Sequence, residues 1–428
     1  MRAFLSCLVC RIVTFVLHKL GRGATSMPGK VALKVKRNVL KDLSKNTKVI
    51  VVTGTNGKTT SCRILEEGLK KAGKSYFINK SGANLITGVT ASFIMNSTVT
   101  GKCKKDYAII ECDENAFKEV SRYIHCDVIL VTNVFRDQLD RYGEVTHTLN
   151  AIKESVKNLP NAIVCLDADC SLTYSMSKEI PNKIITFGVN VPFDKNAKAP
   201  EISDAKYCIF CKHEYDYTYH TYGHLGGFVC NNCGYKRPQP DFAVESVEEM
   251  KNDHSVVVAN LNGDRNIIKV NIGGAYNIYN AIGCAAALTA LGIEQKNIID
   301  AIENFNGAFG RMEHFKAGNN TVNLILVKNP AGFSQTMNFL KSIDDDFTLI
   351  LSLNDNAADG RDISWIWDVD FSGIFDKPNV KELYVTGKRC YDMAVRVKYE
   401  GVGNREIKII ENEDYNKLVD VATSQGRD

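Results

Sequence analysis

The sequence predicts an α/β protein in two parts: a nucleotide-binding domain on a mostly parallel sheet, broken by a four-cysteine insertion, and a smaller α/β domain after it. Three observations predict this. The apolar run Val49-Ile50-Val51-Val52 leads into Thr53-Gly54-Thr55-Asn56-Gly57-Lys58-Thr59-Thr60, which reads as strand, glycine-rich turn and helix start. Short apolar runs alternate with helical patterns along most of the chain. The pair Cys208-x2-Cys211 is followed, eighteen residues later, by Cys230-x2-Cys233. A chain of 428 residues exceeds what one core usually covers, so two or three domains are expected. Apolar residues at 44% and charged residues at 24% are ordinary for a soluble globular protein.

The first 48 residues carry eleven Lys or Arg and one acid, Asp42, although the net charge of the chain is only +4. A basic arm of this kind, residues 1–45, suits anionic lipid or an acidic partner, and a solvated basic helix is the plainer reading. Arg11, His18 and Lys19 interrupt the apolar start, so no run approaches the roughly 18 residues that span a bilayer. An amphipathic or packed helix is expected. The protein is expected in the cytoplasm, with peripheral contact at the inner face of the cell membrane as the open alternative.

A buried strand that feeds a glycine-rich turn and a helix presents backbone N–H groups at the positive end of a helix dipole, which suits phosphates. Gly54, Thr55, Asn56, Gly57, Lys58, Thr59 and Thr60 are therefore the expected ATP cradle. Lys58 would reach the outer phosphates and the Thr59 hydroxyl would sit on Mg²⁺. The loop is shorter than the common one, because Val52 stands where that loop has its first glycine. Residues 61–72 read as the following helix, with Ile64, Leu65 and Leu69 on one face. Strands are expected at 107–111, 128–132, 163–166 and 184–187, with helical patterns such as 147–158 between them.

Glu111 ends its strand where a doubly wound sheet places its ligands, and a carboxylate there can hold Mg²⁺. Asp113 and Glu114 are rival candidates, and a capping acid is the plain alternative. The segment 132–141, Thr132-Asn133-Val134-Phe135-Arg136-Asp137-Gln138-Leu139-Asp140-Arg141, becomes a site candidate through its place beside the loop.

Residues 192–240 break the α/β pattern and read as an insertion, with a ribbon at about 203–240. Cys208, Cys211, Cys230 and Cys233 give four thiolates on two tight knuckles, the ligand set of a closed structural zinc site. A redox dithiol or an iron–sulfur centre is the alternative. His213, His220 and His224 are surplus to that set. Cysteines such as Cys112, Cys126, Cys165 and Cys284 sit in apolar runs and read as core. A hairpin around Asn262-Gly263-Asp264 and helices at 276–291 and 294–305 complete a central domain of 46–310. From Thr321, a strand at 322–327, a helix at 332–343, strands at 348–353 and 382–386, a helix at 389–397 and a strand at 406–410 suggest a Rossmann-like domain over 311–428.

Taken in order, residues 53–60, the Glu111 strand end, 132–141, Leu166-Asp167-Ala168-Asp169, Tyr276-Asn277-Ile278-Tyr279-Asn280-Ala281 and Gly310-Arg311-Met312-Glu313 resemble the Mur ligases. The resemblance covers about residues 30–428. It implies that Asn277 and Asn280 help hold adenine and that Arg311 approaches the nucleotide. The cysteine ribbon, Lys328-Asn329-Pro330-Ala331-Gly332 and Asn354-Asp355-Asn356-Ala357-Ala358-Asp359-Gly360-Arg361-Asp362-Ile363-Ser364-Trp365 look most like the MurT group within that family. Gln138 departs from the His that many Mur ligases carry, which puts a second Mg²⁺ there in doubt. Against the amino-acid-adding Mur ligases, about 45 basic and apolar residues stand in place of the UDP-binding domain, so a lipid-linked substrate is expected.

The resemblance implies ATP-dependent amidation of the D-glutamate carboxylate of lipid II through an acyl phosphate. Ammonia would come from a GatD-type glutaminase in a heterodimer, since the chain has no convincing glutaminase motif of its own. Asp362 would complete the partner's Cys–His pair, against a plain reading of Asp359 and Asp362 as turn and cap residues; Trp365 and Trp367 lie nearby as candidate interface anchors. The rivals are a ligase that adds a free amino acid and a zinc-ribbon module that binds nucleic acid. The acids Glu214 and Asp216 weigh against the second, and no nucleic-acid partner is expected.

Overall fold

The computed structural model describes residues 2–21, 26–79, 83–136, 145–193, 204–251, 253–305, 312–318, 320–356, 359–403, 405–412 and 414–424. It divides into two compact units, residues 1–135 with 145–306, and 136–144 with 307–428.

In the first unit, the apolar runs form strands that are covered on both faces. The strands are β1 (Lys48–Thr53), β2 (Tyr76–Ile78), β3 (Tyr107–Glu111), β4 (Val128–Val131), β5 (Ile163–Asp167) and β6 (Ile184–Val189). In β1, β3 and β4, only Lys48 and Glu111 at the ends escape full burial, as expected of parallel strands sandwiched between helices. β7 (Asp216–His220) and β8 (Gly226–Val229) form a small antiparallel sheet within the insertion. β9 (Phe242–Met250), β10 (Ser255–Leu261) and β11 (Asp264–Val270) rejoin the main sheet.

That sheet has nine strands in the order β11-β10-β9-β6-β5-β4-β1-β3-β2. Pairs from β2 across to β9 are parallel, and β9, β10 and β11 are antiparallel. Asn262 and Gly263 turn the last hairpin with φ of 56° and 106°, the double positive φ that a two-residue turn of matching twist requires. β1 lies between β3 and β4, so the chain leaves it to both sides. The crevice beyond its carboxyl end is the switch point where such sheets take ligands.

The helices of this unit are α1 (Arg2–Lys19), α2 (Met27–Val35), α3 (Val39–Ser44), α4 (Lys58–Lys71), α5 (Ile86–Met95), α6 (Glu114–Val120), α7 (Val145–Lys157), α8 (Ser171–Ser175), α9 (Ala275–Ala290) and α10 (Gln295–Glu303). The first three pack on one another and on α5. α9 is buried on all sides from Asn277 to Leu288 and packs against α4, as an apolar helix must. Among the described residues, no helix is long and apolar enough to cross a membrane.

The second unit departs from the sequence reading at one point. β12 (Met312–Ala317) and β13 (Asn320–Ile325) form an antiparallel hairpin of their own, so the strand expected at 322–327 does not open the parallel sheet. Every residue of β13 is at least partly exposed, and such a strand cannot lie inside a sheet covered on both faces. The parallel sheet has three strands, β14 (Phe347–Ser352), β15 (Val380–Thr386) and β16 (Ile407–Ile409). α11 (Pro330–Lys341), α12 (Cys390–Glu400) and α13 (Tyr415–Ser424) complete the unit. Its core includes Phe371, Ile374, Leu383, Val385, Met393 and Val397.

Candidate active site and metal centre

The phosphate loop owes its shape to two glycines. Gly54 and Gly57 have φ of 120° and 83°. A Cβ on Gly54 would stand 2.4 Å from Thr132 Oγ1, and one on Gly57 would stand 2.1 Å from Asn280 Oδ1. The loop is pressed between the end of β4 and α9, and a side chain fits at neither position. The next link is hydrogen bonding. Thr55 N–H donates to the Asn133 carbonyl at 2.9 Å, Asn56 N–H donates to Asn133 Oδ1 at 3.0 Å, and Thr132 Oγ1 donates to the Asn56 carbonyl at 2.7 Å. Thr55 Oγ1 accepts from Phe135 N–H at 3.0 Å. Thr55 and Asn56 thus tie the loop to the 132–135 segment. Gly57 is the N-cap of α4 and makes no side-chain cap, which leaves the positive helix end for an anion.

Three acids stand at the end of β3 or just beyond it, and the structure gives each a different contact. Glu111 Oε1 accepts from Thr59 Oγ1 at 3.1 Å. Asp113 caps α6 by accepting from Asn115 N–H. Glu114 pairs with Lys58 at 2.6 Å, and the two side chains are 2% and 9% exposed. Lys58 Nζ also donates to the Gly54 and Thr55 carbonyls, so it is held over the loop. Thr60, two residues beyond Lys58, is buried. Asn79 holds Glu111 in place by its backbone: Oδ1 accepts the Glu111 N–H at 2.8 Å and Nδ2 donates to its carbonyl at 2.9 Å. Asn79 was not singled out from sequence. Its one signal is a buried polar residue just after a short strand.

On α9, Asn280 Nδ2 donates to Asn277 Oδ1 at 3.0 Å, and Asn277 Nδ2 donates to the Gly273 carbonyl. Asn280 also lies within 3.5 Å of Ser61 Oγ on α4. Arg311, Gln138 and Asp137 lie outside the described residues.

The four insert cysteines converge, with all four sulfurs within 4.8 Å of one another. Cys208 and Cys233 sulfurs are 3.6 Å apart and Cys211 and Cys230 sulfurs 3.4 Å. Those separations are too long for a disulfide and close to the roughly 3.8 Å edge of a tetrahedron with 2.3 Å zinc–sulfur bonds. The two knuckles repeat one hydrogen-bond pattern. Cys208 N–H donates to the His213 carbonyl and Lys212 N–H to the Cys208 carbonyl; Cys230 N–H donates to Tyr235 and Gly234 N–H to Cys230. Lys212 and Gly234 take matching left-handed conformations, φ 63° and 74°. The Asn232 side chain and the His213 N–H draw the Cys211 thiol down to about 6. The residues present suit a thiophilic dication.

Below the ribbon lies a buried polar network. Asp169 takes Arg237 Nε at 2.6 Å, Tyr279 Oη at 2.5 Å and Val189 N–H at 2.8 Å. Tyr279 also bonds Thr221 at 2.8 Å. The ribbon's Arg237 and the nucleotide-side helix α9 therefore share one carboxylate. Cys170 Sγ lies 3.3 Å from His224 Nε2, both buried. Burial pushes the Cys170 thiol up to about 11 and the His224 imidazole down to about 4. Both are neutral near pH 7, the reverse of an activated thiolate–imidazolium pair.

In the second unit, Asn329 caps α11, with Oδ1 accepting from Gly332 N–H at 2.8 Å and Pro330 in the first turn. Asp362 Oδ1 accepts from Ser364 N–H at 2.8 Å at the start of the short 3₁₀ turn Ser364–Asp368, while Asp359 accepts from Asn356 at 2.8 Å. Asp362 is only partly covered, and Trp367 is 48% exposed.

Two family models match the chain: the Mur ligase middle domain over residues 52–233 and the MurT ligase C-terminal domain over residues 326–428. The chain is 36% identical to the lipid II isoglutaminyl synthase (glutamine-hydrolyzing) subunit MurT of Streptococcus pneumoniae, over 99% of this chain and 95% of that protein. It is 31% identical to the protein of the same description in Staphylococcus aureus, over 97% and 92%. Among solved structures, MurF from Acinetobacter baumannii matches with a TM-score of 0.66 at 16% identity, over 92% of this chain and 74% of that one.

Proposed function

Because the chain belongs to the MurT family of Mur ligases, and is thereby an ATP-dependent carbon–nitrogen ligase, we propose that it converts the D-glutamate carboxylate of the lipid II stem peptide to D-isoglutamine. The observation that carries this reading is the contact between Thr59 and Glu111 at the mouth of the loop, 3.1 Å long and next to Lys58. It joins a hydroxyl, a carboxylate and a cation at the carboxyl end of β1, where phosphates and a metal would meet.

A substrate carboxylate oxygen attacks the γ-phosphorus of ATP, the bond to the β–γ bridging oxygen breaks, and ADP leaves. Ammonia then attacks the acyl carbon with its lone pair, phosphate leaves with the bonding pair, and the proton that the nitrogen loses ends on the departing phosphate. Lys58 and the N–H groups at the start of α4 offset charge that moves onto the phosphates. Thr59 and Glu111 would hold Mg²⁺, which when bound draws charge from the phosphate oxygens. Gly57, pressed on Asn280, keeps the loop against α9, whose Asn277 and Asn280 start lies on the adenine side in this reading. Cys208, Cys211, Cys230 and Cys233 would hold zinc, which cross-links the two knuckles.

Ammonia is mostly protonated at neutral pH, so we assign its supply to a separate glutaminase subunit of the GatD type. Asp362 orients that partner's histidine. The polyprenyl tail of lipid II puts the reaction at the inner face of the cell membrane.

The test is the purified chain with ATP, lipid II and ammonium chloride. A carboxamide seen by mass spectrometry, with carboxylate oxygen label recovered in inorganic phosphate, supports the reading. Dependence on a free amino acid in place of ammonia would establish the rival ligase. Asp362→Asn should spare ammonia-driven amidation and stop glutamine-driven amidation by the reconstituted pair; equal loss of both would remove the in-trans role.

A further inference from the structure

Helix α1 is built inside out. At 3.6 residues per turn, Phe4, Leu5, Leu8, Ile12, Phe15 and Val16 fall within about a third of its circumference. Five of the six are exposed, Ile12 by 53% and Phe15 by 61%. Its buried residues are instead small or polar: Ser6, Cys7, Cys10 and Thr14. Hydrogen bonds fix this orientation. Ser6 Oγ donates to the Ala32 carbonyl of α2 at 2.7 Å, and Arg11 donates to the Ile94 carbonyl of α5 at 3.0 Å and to Ser97. A helix meant to end in water turns its Phe and Ile inward. Here a contiguous apolar strip is left outside, and an exposed patch of that kind marks a contact with something apolar.

The charge says what that contact is. Eleven cations and one acid occupy the first 48 residues. Arg2 and Lys19 are exposed at the two ends of α1, with the Lys19 ammonium 5.1 Å from the centre of the Phe15 ring. An apolar strip ended by cations, on a helix that cannot cross a bilayer, has the make-up of a helix that lies in an anionic lipid interface.

We propose that α1 docks this chain on anionic membrane, with Phe4, Ile12 and Phe15 among the acyl chains and Arg2 and Lys19 at the headgroups. The proposal rests on the reading of a polyprenyl-linked substrate for its purpose, and on the geometry of α1 for its surface. Docking holds the enzyme in the plane where that substrate diffuses.

The experiment sediments the full chain with vesicles of phosphatidylglycerol and phosphatidylcholine, or of phosphatidylcholine alone, at physiological salt. The wild type should pellet with the anionic vesicles. The double variant Ile12→Glu with Phe15→Glu, at two exposed positions, should keep the wild-type circular dichroism and bind them at least about tenfold more weakly. Equal binding by both proteins overturns the proposal, as does wild type that stays in the supernatant. Wild type that forms a dimer which the variant loses, without vesicle binding, also overturns it and makes the strip a contact between copies. Amidation of a lipid II analogue with a short, water-soluble prenyl chain should be the same in both proteins. If the wild type fails that reaction, the proposed chemistry falls while the vesicle result stands.

Discussion

The phosphate loop is clamped by its neighbours, whereas the two knuckles of the cysteine ribbon meet through their own four sulfurs. The loop lies between a parallel strand and a buried helix, with Thr132, Asn133 and Asn280 closing on its backbone. The ribbon has a two-stranded sheet and a buried cluster of Cys208, Tyr215, Phe228, Cys230 and Tyr235, of which two are the cysteines themselves. A core that small offsets little of the chain entropy of ordering the knuckles. The lesson is that one altered side chain in the loop should change chemistry more than fold, and one altered ligand in the ribbon should do the opposite.

The largest effect is expected at the ribbon. Cys208→Ser should release the metal and unfold the insert, because structural zinc contributes on the order of 10 kcal/mol to small domains. Metal content and thermal unfolding measure it together. A variant that melts with the wild type would show that the ribbon holds itself, and the contrast would fail.

At the loop, Lys58→Ala should cut turnover by roughly 10²–10³-fold, the scale of losing one preorganised donor. It should also leave Glu114 buried without its cation, at a cost of about 3 kcal/mol. Pairing it with Glu114→Gln should return most of the stability and none of the turnover. Recovery of turnover in the double variant would mean that Lys58 matters only as a partner for Glu114.

The same contrast governs what could be read in the sequence. The loop, its strand and its helix were legible because apolar burial and glycine spacing are local. The ribbon was legible because its cysteine pairs are spaced as metal knuckles. The pairing of Lys58 with Glu114 spans 56 residues, that of Asp169 with Arg237 spans 68, and that of Asp169 with Tyr279 spans 110. Nothing local encodes those partners, so Glu114 stood only as one of three acids. The hairpin of β12 and β13 was misread for a related reason: an apolar run suggests a strand without saying which strand it meets.

A smaller effect is expected where the two regions join. Arg237→Met should leave Asp169 with Tyr279 and the Val189 N–H but no cation, and cost about 2 kcal/mol. Because Tyr279 lies between Asn277 and Asn280 on α9, the KM for ATP should rise more than kcat falls. An unchanged KM would separate the ribbon from the nucleotide site.

The effect at Asp167, two residues from that junction, is the smallest near pH 4, where it vanishes. It is buried, with Oδ1 accepting the Asp169 N–H at 2.9 Å, and Oδ2 has no partner among the described residues. Burial, with the Asp169 charge beside it, raises its pKa well above the usual aspartate range. A carboxyl raised on folding adds stability below its unfolded value, about 4, and loses it as pH climbs through the folded value. Asp167→Asn, which keeps the Oδ1 acceptor and cannot ionise, should match the wild type near pH 4 and pull ahead of it as pH climbs from there to the folded value. Denaturant unfolding at a series of pH values reads this directly. A variant that falls below the wild type as pH rises would mean that Asp167 is held as the anion, and that a cation reaches Oδ2 in the working protein.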